Sequence, residues 1–305
     1  MCGISGIMYM NSGRNGVADV GSDLVKMLDA LAHRGRDSTG FTVVGEELDE
    51  DLIVRLWTED VDAADVVLGR VEEAIGRAGG VVVTTSSWGG FFRLTVNYEG
   101  EVSRLAEALM RVDGVVIHSI GEASEVVKDV GVASDMDRDH HIGLMRGTHG
   151  IGHVRMATES KVDITHSHPF WAYPFTDVTV VHNGQLTNYH KLKRHYQSMG
   201  HRFLTENDSE LIAVYLADKL AEGDPLESVL TQSLDDLDGT FTYLVSTKNG
   251  MGVAKDRWAA KPLVTMQTDD VVAVASEEIA LRSVFTDEEL DRVEPQENEV
   301  LTWSV

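Results

Sequence analysis

Cysteine is almost absent from this 305-residue sequence, in which Cys2 is the only one. A single thiol excludes any disulfide within the chain, which favours a reducing compartment. It also cannot hold an iron–sulfur cluster, which needs about four ligands. Long apolar runs are missing as well: none approaches the about 18 residues of a membrane-spanning helix, and no basic, apolar signal segment opens the chain. These absences predict a cytoplasmic protein.

Basic residues are also scarce, because 26 lysines and arginines stand against 50 aspartates and glutamates, for a formal net charge of -24. Such a chain lacks the phosphate-neutralising surface of a nucleic-acid-binding protein, so that class is disfavoured. The acidic residues are spread widely, and 9 lysines accompany 17 arginines. This pattern fits a surface adapted to salt, and it fits an ordinary acidic cytoplasmic protein about as well.

The 43% of hydrophobic residues is enough for one large domain or two smaller ones. The pattern divides into three blocks. The first, about residues 1–45, predicts a strand at 3–9, a helix at 23–32 and, after a turn-like segment, a strand at 40–44.

The second block, about residues 46–122, has a different pattern. It predicts, in order, a strand at 52–57, a helix at 63–78, strands at 80–86 and 92–98, a helix at 101–112 and a strand at 114–120. This β-α-β-β-α-β order is that of a ferredoxin-like unit. No catalytic constellation lies within the block, so we interpret it as an inserted structural or docking module.

The third block, about residues 123–305, returns to strands, turns and long amphipathic helices. Strands are predicted at 150–156, 178–182, 241–246, 252–255, 263–266, 271–275 and 300–303, and helices at 188–199, 209–220 and 225–237. For the last helix Asp224 is the predicted N-cap and Pro225 the first helical residue. Many strands with a few long helices favour stacked sheets covered by helices.

Cys2 directly follows Met1, and a residue this small at the second position allows the initiating methionine to be removed. Removal leaves a thiol and a free α-amine on one residue. Because that amine titrates at roughly 7.7–8.0, it can accept the thiol proton, as in N-terminal nucleophile hydrolases. A lone cysteine beside a start can also be accidental, so the rest of the chain must decide.

Further segments carry polar residues suited to binding an amino acid and stabilising an oxyanion. Arg155 can hold a carboxylate, Asp208 an ammonium group, and Asn183 with the Gly184 N–H an oxyanion. The segments that contain these residues are 152–158, 166–169, 180–184 and 205–210.

With Cys2, these segments resemble the class II glutamine amidotransferases, the N-terminal-cysteine glutaminase domains. Residues 33–40 are similar to the family's His-Arg-Gly-Pro-Asp-Ser-Ser-Gly, and residues 152–158 to Gly-His-Thr-Arg-Trp-Ala-Thr. Residues 181–184 match Val-His-Asn-Gly, and residues 207–210 are similar to Thr-Asp-Thr-Glu. The resemblance covers about 1–45 and 123–305. Arg36 and Met156 stand where the family has proline and tryptophan.

The resemblance implies an α+β fold, the four-layer αββα sandwich of N-terminal nucleophile hydrolases, here with the ferredoxin-like β-α-β-β-α-β subdomain inserted at 46–122. It implies that Cys2 is the nucleophile and that Asn183 and Gly184 form the oxyanion hole. The other implied roles are substrate binding by Arg155, Thr158, His168 and Asp208, and a structural turn behind the nucleophile formed by Arg34 and Asp37.

Simpler interpretations remain open for several of these residues. Arg155 or Asp208 taken alone fits a surface ion pair, and His153, His166 and His182 fit satisfied structural histidines. One short segment contains several residues of the types that bind metals: Asp135, Asp137, Asp139, His140 and His141. Because no second cluster supports a metal site, we interpret the segment as a solvated acidic loop and predict no metal site.

A narrower resemblance is to the stand-alone amidotransferase subunits of glutamate synthase-like complexes, which include the A subunit of methylamine–glutamate N-methyltransferase (N-methylglutamate synthase). It lies in residues 127–131, 155–160, 236–239 and 261–262. It implies two partners, a flavin-binding synthase subunit and a β-helix subunit. FMN and iron–sulfur centres are then expected on those partners, and no cofactor on this chain.

No acceptor domain follows the glutaminase segments, so we expect the nitrogen acceptor chemistry on another polypeptide. The first hypothesis is a glutaminase subunit that hydrolyses glutamine and supplies such a partner. The second is a free-standing hydrolase of glutamine or another γ-glutamyl amide. The third is a non-catalytic glutamine-binding scaffold, against which the intact set of candidate site residues weighs.

Overall fold

The computed structural model describes residues 2–10, 17–48, 51–156, 163–285 and 292–305. The helices are α1 (Val20–Ala30), α2 (Ala64–Ala78), α3 (Val102–Met110), α4 (Ala133–His140), α5 (Tyr189–Ser198), α6 (Asp208–Ala221), α7 (Leu226–Asp236) and α8 (Glu278–Arg282). The strands are β1 (Gly3–Tyr9), β2 (Ser38–Val44), β3 (Asp51–Thr58), β4 (Val81–Trp88), β5 (Phe91–Asn97), β6 (Val115–Gly121), β7 (Ser124–Val130), β8 (His149–Arg155), β9 (Phe170–Trp171), β10 (Thr179–Leu186), β11 (Gly239–Thr247), β12 (Gly250–Lys255), β13 (Val264–Gln267), β14 (Val271–Ala275), β15 (Arg292–Val293) and β16 (Val300–Ser304).

Two antiparallel sheets stack face to face. One has the order β15-β13-β14-β1-β8-β2-β7, and the other has the order β16-β12-β11-β10-β9. The alternation along β1 shows why they stack: Ile4 and Met8 lie in the apolar core between the sheets, whereas Ile7 packs against the helices on the outer face. Helices α1, α4 and α8 cover the first sheet, and α6 and α7 cover the second. The predicted αββα sandwich is confirmed.

Strand β8 is an inner strand of the first sheet, and its two faces have different surroundings. A Cβ atom on Gly152 would lie 2.6 Å from Leu28, and one on Gly150 would lie 2.8 Å from Leu24, so the glycines let α1 pack directly on the strand backbone. The alternate residues point to the space between the sheets. His153 and Arg155 are therefore buried there, at 1% and 5% exposure.

A third sheet, of order β4-β5-β3-β6, contains the segment predicted to be ferredoxin-like. Its chain order is strand, helix, strand, strand, helix, strand, as predicted. Helices α2 and α3 pack on it over a core that includes Val54, Leu94 and Leu105. The division of the chain at 46 and 122 stays a prediction.

An ion triad joins this sheet to the sandwich. Glu125 on β7 accepts from Arg55 Nε on β3 at 2.7 Å and from Arg93 Nε on β5 at 2.9 Å. Only 14% of the Glu125 side chain and 9% of the Arg55 side chain are exposed. Burial raises the pKa of Glu125, but the two guanidinium groups lower it by more, so it lies below its usual value.

Some local predictions were wrong. The acidic segment predicted as a solvated loop is helix α4, in which Arg138 pairs with Asp135 and Asp139 while His140 is buried. The helix packs through Ala133 and Met136, one turn apart, which belong to the apolar core beside α1. Pro225 is the N-cap of α7 and not its first helical residue. Strand β7 and helix α8 were not predicted.

Among the described residues, no helix has both the length and the apolar content needed to cross a membrane. Cytoplasmic localisation stays a prediction.

Glu125→Gln should lower the free energy of unfolding by about 3–5 kcal/mol, because two guanidinium groups, one of them buried, lose their counter-charge. The native pKa of Glu125 is depressed, so its contribution is present above the unfolded pKa of about 4.3 and is lost as the pH falls through the native pKa. The difference between the two proteins in urea denaturation should therefore shrink below about pH 4.

Glu107→Gln is the matched control, since Glu107 forms an exposed pair with Arg111 on α3. That substitution should change the unfolding free energy by no more than about 0.5 kcal/mol. Equal effects of the two substitutions on the unfolding free energy at neutral pH would contradict the role of the triad in joining the third sheet to the sandwich.

Candidate active site

Cys2 lies just before β1, with its thiol beside the end of β8. The N–H of Met156 donates to Cys2 Sγ at 3.5 Å, and Sγ lies 3.7 Å from the Met156 carbonyl oxygen. Met1 lies outside the described residues, so its removal stays a prediction.

The carbonyl oxygen of Cys2 accepts two hydrogen bonds. Arg34 Nε donates to it at 2.9 Å, and Asn183 Nδ2 donates at 3.1 Å. These two donors come from a 3-10 turn beside the first sheet and from β10 in the second sheet. The main chain of the candidate nucleophile is therefore held from both sheets.

The Arg34 guanidinium pairs with the Glu277 carboxylate. Oε2 of the same carboxylate lies 3.0 Å from His33 Nε2. Burial raises the pKa of Glu277, but Arg34 and His33 lower it by more, so the carboxylate is favoured. Asp37, predicted to lie in the same structural turn, connects through its backbone: its N–H donates to the carbonyl of Arg155 at 3.1 Å. The structure thus places Arg34 and Asp37 directly beside the Cys2 and Arg155 segments.

Ser276 is a site residue that sequence reasoning missed. Its hydroxyl accepts from the Ile4 N–H at 2.9 Å and lies 3.3 Å from Asn183 Nδ2, and its own N–H donates to the Ile4 carbonyl at 2.9 Å. Ser276 therefore connects the residue after Gly3 to the candidate oxyanion donor. A single serine following an apolar strand carries no sequence signal for this role.

Asn183 and Gly184 are consecutive residues of β10. Asn183 is buried, and its Nδ2 lies beside the Cys2 main chain. Gly184 has a φ of 143°, and a Cβ there would lie 2.0 Å from the Thr240 carbonyl oxygen, so only glycine fits. The strand thus places an amide side chain at the Cys2 carbonyl, with the backbone N–H of Gly184 at the next position along the strand.

Three buried histidines line the space next to these residues. His153 and His168 stack with ring centroids 4.0 Å apart. Ser209 Oγ contacts His168 Nε2 at 2.8 Å and His182 Nδ1 at 3.0 Å. Burial, followed by the charge of Arg155, lowers the pKa of His153 to about 3, and burial lowers that of His168 well below its usual value. Both imidazoles are therefore neutral at pH 7.

Arg155 and Asp208 are the charged residues that flank this cluster. Arg155 is buried at the end of β8, so the surface ion-pair interpretation is wrong for it. Asp208 opens α6, and its Oδ2 accepts from the Leu186 N–H at 3.0 Å. Burial raises the pKa of Asp208, but His182 lowers it by more, which keeps the group ionised. A guanidinium and a carboxylate can hold the two α-substituents of an amino acid.

His166 has its own partner outside this group. His166 is paired with Asp163 at 2.7 Å, and both side chains are about one-third exposed, 32% each. Thr158 lies outside the described residues, so its role stays a prediction. Among the residues that the structure describes, no cluster of histidine, cysteine and acidic side chains could hold a metal ion.

Comparison with known proteins agrees with this geometry. Residues 153–283 match the family model of a glutamine amidotransferase domain. A protein of Methanothermobacter thermautotrophicus described as a candidate glutamine amidotransferase is 38% identical over 302 residues, covering 97% of this chain and 98% of that protein. The glutamine amidotransferase-like protein GlxB of Rhizobium meliloti is 36% identical over 305 residues, covering 99% and 98%.

Solved structures support the fold. The glutamine phosphoribosylpyrophosphate amidotransferase from B. subtilis superposes with a TM-score of 0.61 at 19% identity, over 99% of this chain and 47% of that one. An allosteric regulatory enzyme of purine biosynthesis superposes with a TM-score of 0.63 at 20% identity. Two relatives above 30% identity along nearly the whole chain, together with this fold and the matched domain, confirm the predicted enzyme class: the chain belongs to the class II glutamine amidotransferases.

Proposed function

We propose that this chain is the glutaminase subunit of a glutamate synthase-like complex, and that it hydrolyses glutamine to glutamate and ammonia through a Cys2 thioester. The observation that carries the glutaminase part is the attachment of the Cys2 carbonyl to Arg34 and Asn183. This attachment holds the thiol beside the polar cluster that can receive glutamine. Nucleophilic catalysis needs such fixed geometry between thiol and substrate.

In the proposed reaction, the Cys2 thiolate attacks the side-chain amide carbon of glutamine. Asn183 Nδ2 and the Gly184 N–H stabilise the oxyanion of the tetrahedral intermediate. Collapse of the intermediate releases ammonia, which takes its additional proton from the Cys2 α-ammonium, and leaves a thioester. Water then attacks the thioester, frees glutamate and restores the thiol. The pKa values of His153 and His168 are depressed, which makes both poor bases, so the α-amine of a trimmed Cys2 is the proposed base.

Substrate selection follows from charge. Arg155 binds the α-carboxylate and Asp208 the α-ammonium of glutamine, and His168 shapes the pocket between them. Thr158 is proposed to add a hydrogen bond to the carboxylate. Two fixed charges of opposite sign select a zwitterionic amino acid. They reject a simple amide, because it would leave the guanidinium and the carboxylate without charged partners.

The proposed partners are a flavin-binding synthase subunit and a β-helix subunit, which carry FMN and iron–sulfur centres. The narrower sequence resemblance supports them. Ammonia chemistry and methylamine chemistry are the two alternatives for the nitrogen transfer on those chains. The ferredoxin-like sheet offers a docking surface, and a structural role is the competing proposal. A free-standing hydrolase of glutamine or another γ-glutamyl amide is the second candidate function.

Cys2 should become covalently modified by a diazoketone analogue of glutamine. Intact-mass analysis of the purified protein should show the loss of Met1 and one adduct per chain, because the chain has only one thiol. Cys2→Ala should prevent the adduct and abolish glutamine hydrolysis. Full hydrolysis by Cys2→Ala would contradict the proposed nucleophile.

Asn183→Ala should lower kcat by about 10²–10³, because an oxyanion donor acts chiefly in the transition state. Asp208→Asn should act mainly on KM, because the ammonium contact exists in the ground state as well. Steady-state glutamine hydrolysis measures both, with the exposed Asp135→Asn as a control.

Asn183 also contacts Cys2 and Ser276, so its substitution could act through position alone. Ser276→Ala tests this, because it removes the Asn183 contact to the hydroxyl and leaves the Nδ2 group in place. A loss of kcat as large in Ser276→Ala as in Asn183→Ala would overturn the oxyanion assignment in favour of positioning.

Glutamine hydrolysis should be slow in the isolated chain and should rise when the flavin-binding synthase subunit is added. The exposed Met156 segment, whose N–H contacts the thiol, is the element that docking can close. The measurement is steady-state hydrolysis with and without the co-encoded subunits, with Cys2→Ala plus partners as the control. Full turnover by the isolated chain, unchanged on mixing, would favour the free-standing hydrolase.

A further inference from the structure

A cavity of about 220 Å³ lies where the ferredoxin-like sheet meets the sandwich. Its apolar wall includes Met110 at the end of α3 and the aromatic rings of Phe170 and Trp171 on β9. Three buried ionisable side chains also line it: His118 of β6, Lys128 of β7 and Glu210 of α6, at 3%, 5% and 2% exposure. The mechanism proposed above uses none of the three.

Lys128 is a buried cation without a bonded counter-charge. Its Nζ donates to the carbonyl oxygens of Ser167 at 2.9 Å and Pro169 at 3.3 Å, which leaves one of its three N–H groups. Within the described ranges, no carboxylate lies within ion-pair distance of it. Burial lowers the pKa of Lys128 to about 8, so most of the protein carries the charge at pH 7. Buried charges are ordinarily paired, because an unpaired one is costly.

The nearest lining carboxylate is already satisfied by other donors. Glu210 accepts from the Leu204 N–H at 2.6 Å, and from the N–H and hydroxyl of Thr205 at 2.7 Å and 2.6 Å. It thus holds the loop before α6 and does not neutralise Lys128 by direct contact.

His118 also contributes a buried polar atom to the cavity. Its Nε2 is buried and has no hydrogen-bond partner among the described residues. Burial, followed by the charge of Lys128, lowers the pKa of His118 well below its usual value, so the ring is neutral. In the tautomer with a proton on Nε2, the ring is a hydrogen-bond donor. The cavity therefore combines the Lys128 cation, whose Nζ lies 5.0 Å from the Phe170 ring centroid, the neutral His118 donor and an apolar wall. It also contains the Glu210 carboxylate, which is held by its own three donors.

We infer that this cavity binds a small monocarboxylate with an apolar body, paired with Lys128 and hydrogen-bonded to His118. An amine is disfavoured because Lys128 repels it. A dianion is disfavoured because its second charge would lie unpaired near Glu210. The apolar body fills the space against Phe170 and Trp171, and removal of this surface from water adds affinity.

The site is connected to the proposed glutamine pocket. The two carbonyls that Lys128 holds flank His168, and Glu210 follows Ser209, which contacts His168. A bound carboxylate draws the Lys128 ammonium toward the cavity. This alters the hydrogen bonds of Lys128 to the two carbonyls that flank His168. This coupling rests on the proposed function, and it must be reciprocal: the monocarboxylate and glutamine change each other's affinity by the same factor.

The test is calorimetric titration of the full chain with benzoate, and with benzamide as an uncharged probe of the same shape. Benzoate should bind at least about tenfold more tightly than benzamide, a difference of about 1.4 kcal/mol. Lys128→Met should remove that preference. Val115→Phe, which places a larger side chain in the lining, should weaken both probes and leave glutamine turnover without benzoate unchanged.

The binding titration is repeated with Cys2→Ala, so that it does not depend on catalysis. Equal binding of benzoate and benzamide, no benzoate binding up to about 20 mM, or unchanged binding in Val115→Phe would each overturn the inference. Should Lys128→Met fail to fold, His118→Phe provides the second test, because it removes the neutral donor and should weaken benzoate more than benzamide. Benzoate binding by the unsubstituted protein, together with no glutamine hydrolysis either alone or with the co-encoded subunits, would refute the proposed function and leave the carboxylate site standing.

Discussion

The carbonyl oxygen of Cys2 is the point at which the parts of the site meet. Arg34 and Asn183 donate to it from opposite sheets, and Glu277 and Ser276 hold those donors in turn. A cysteine near the end of a chain has few neighbours to fix it, because terminal residues are poorly ordered unless they are tied down. Here hydrogen bonds to its main chain supply the constraint, which leaves the thiol available for chemistry.

The electrostatics of the site follow from burial between two sheets. The apolar surroundings of His153 and His168 disfavour their charged forms, so the imidazoles act as neutral walls. Arg155 and Asp208 are then the fixed charges beside them. A zwitterionic amino acid matches this pair, and the neutral histidines do not compete for its carboxylate. The packing of β8 against β10 therefore both positions the site residues and determines which substrate charges they accept.

The ferredoxin-like sheet is connected to the sandwich by polar groups as well as by apolar contact. The triad of Arg55, Arg93 and Glu125 lies on one side of β7, and the cavity beside Lys128 lies further along the same strand. Buried charges of this kind contribute little net stability but are costly to break, which makes the relative arrangement of the two parts specific. Lys128 of the same strand contacts the carbonyls on either side of His168, which connects this junction to the proposed glutamine pocket.

The sequence by itself determined the enzyme family, the sandwich class and the order of strands and helices in the ferredoxin-like segment. Short motifs carry that information, because Cys2, Arg155 and Asn183 stand in segments that few other families share, and strand and helix periods are local properties. Strand β7 was missed because Lys128 and Asp129 interrupt its apolar pattern. Helix α4 was missed because acidic residues surround the two apolar side chains, Ala133 and Met136, that pack in the core. Only the tertiary structure decided that Ser276 and Glu277 support the candidate nucleophile, since their partners are more than 90 residues away along the chain. The same holds for the Lys128 cavity: burial and the absence of a bonded carboxylate are properties of three-dimensional packing, and no local pattern of residues encodes them.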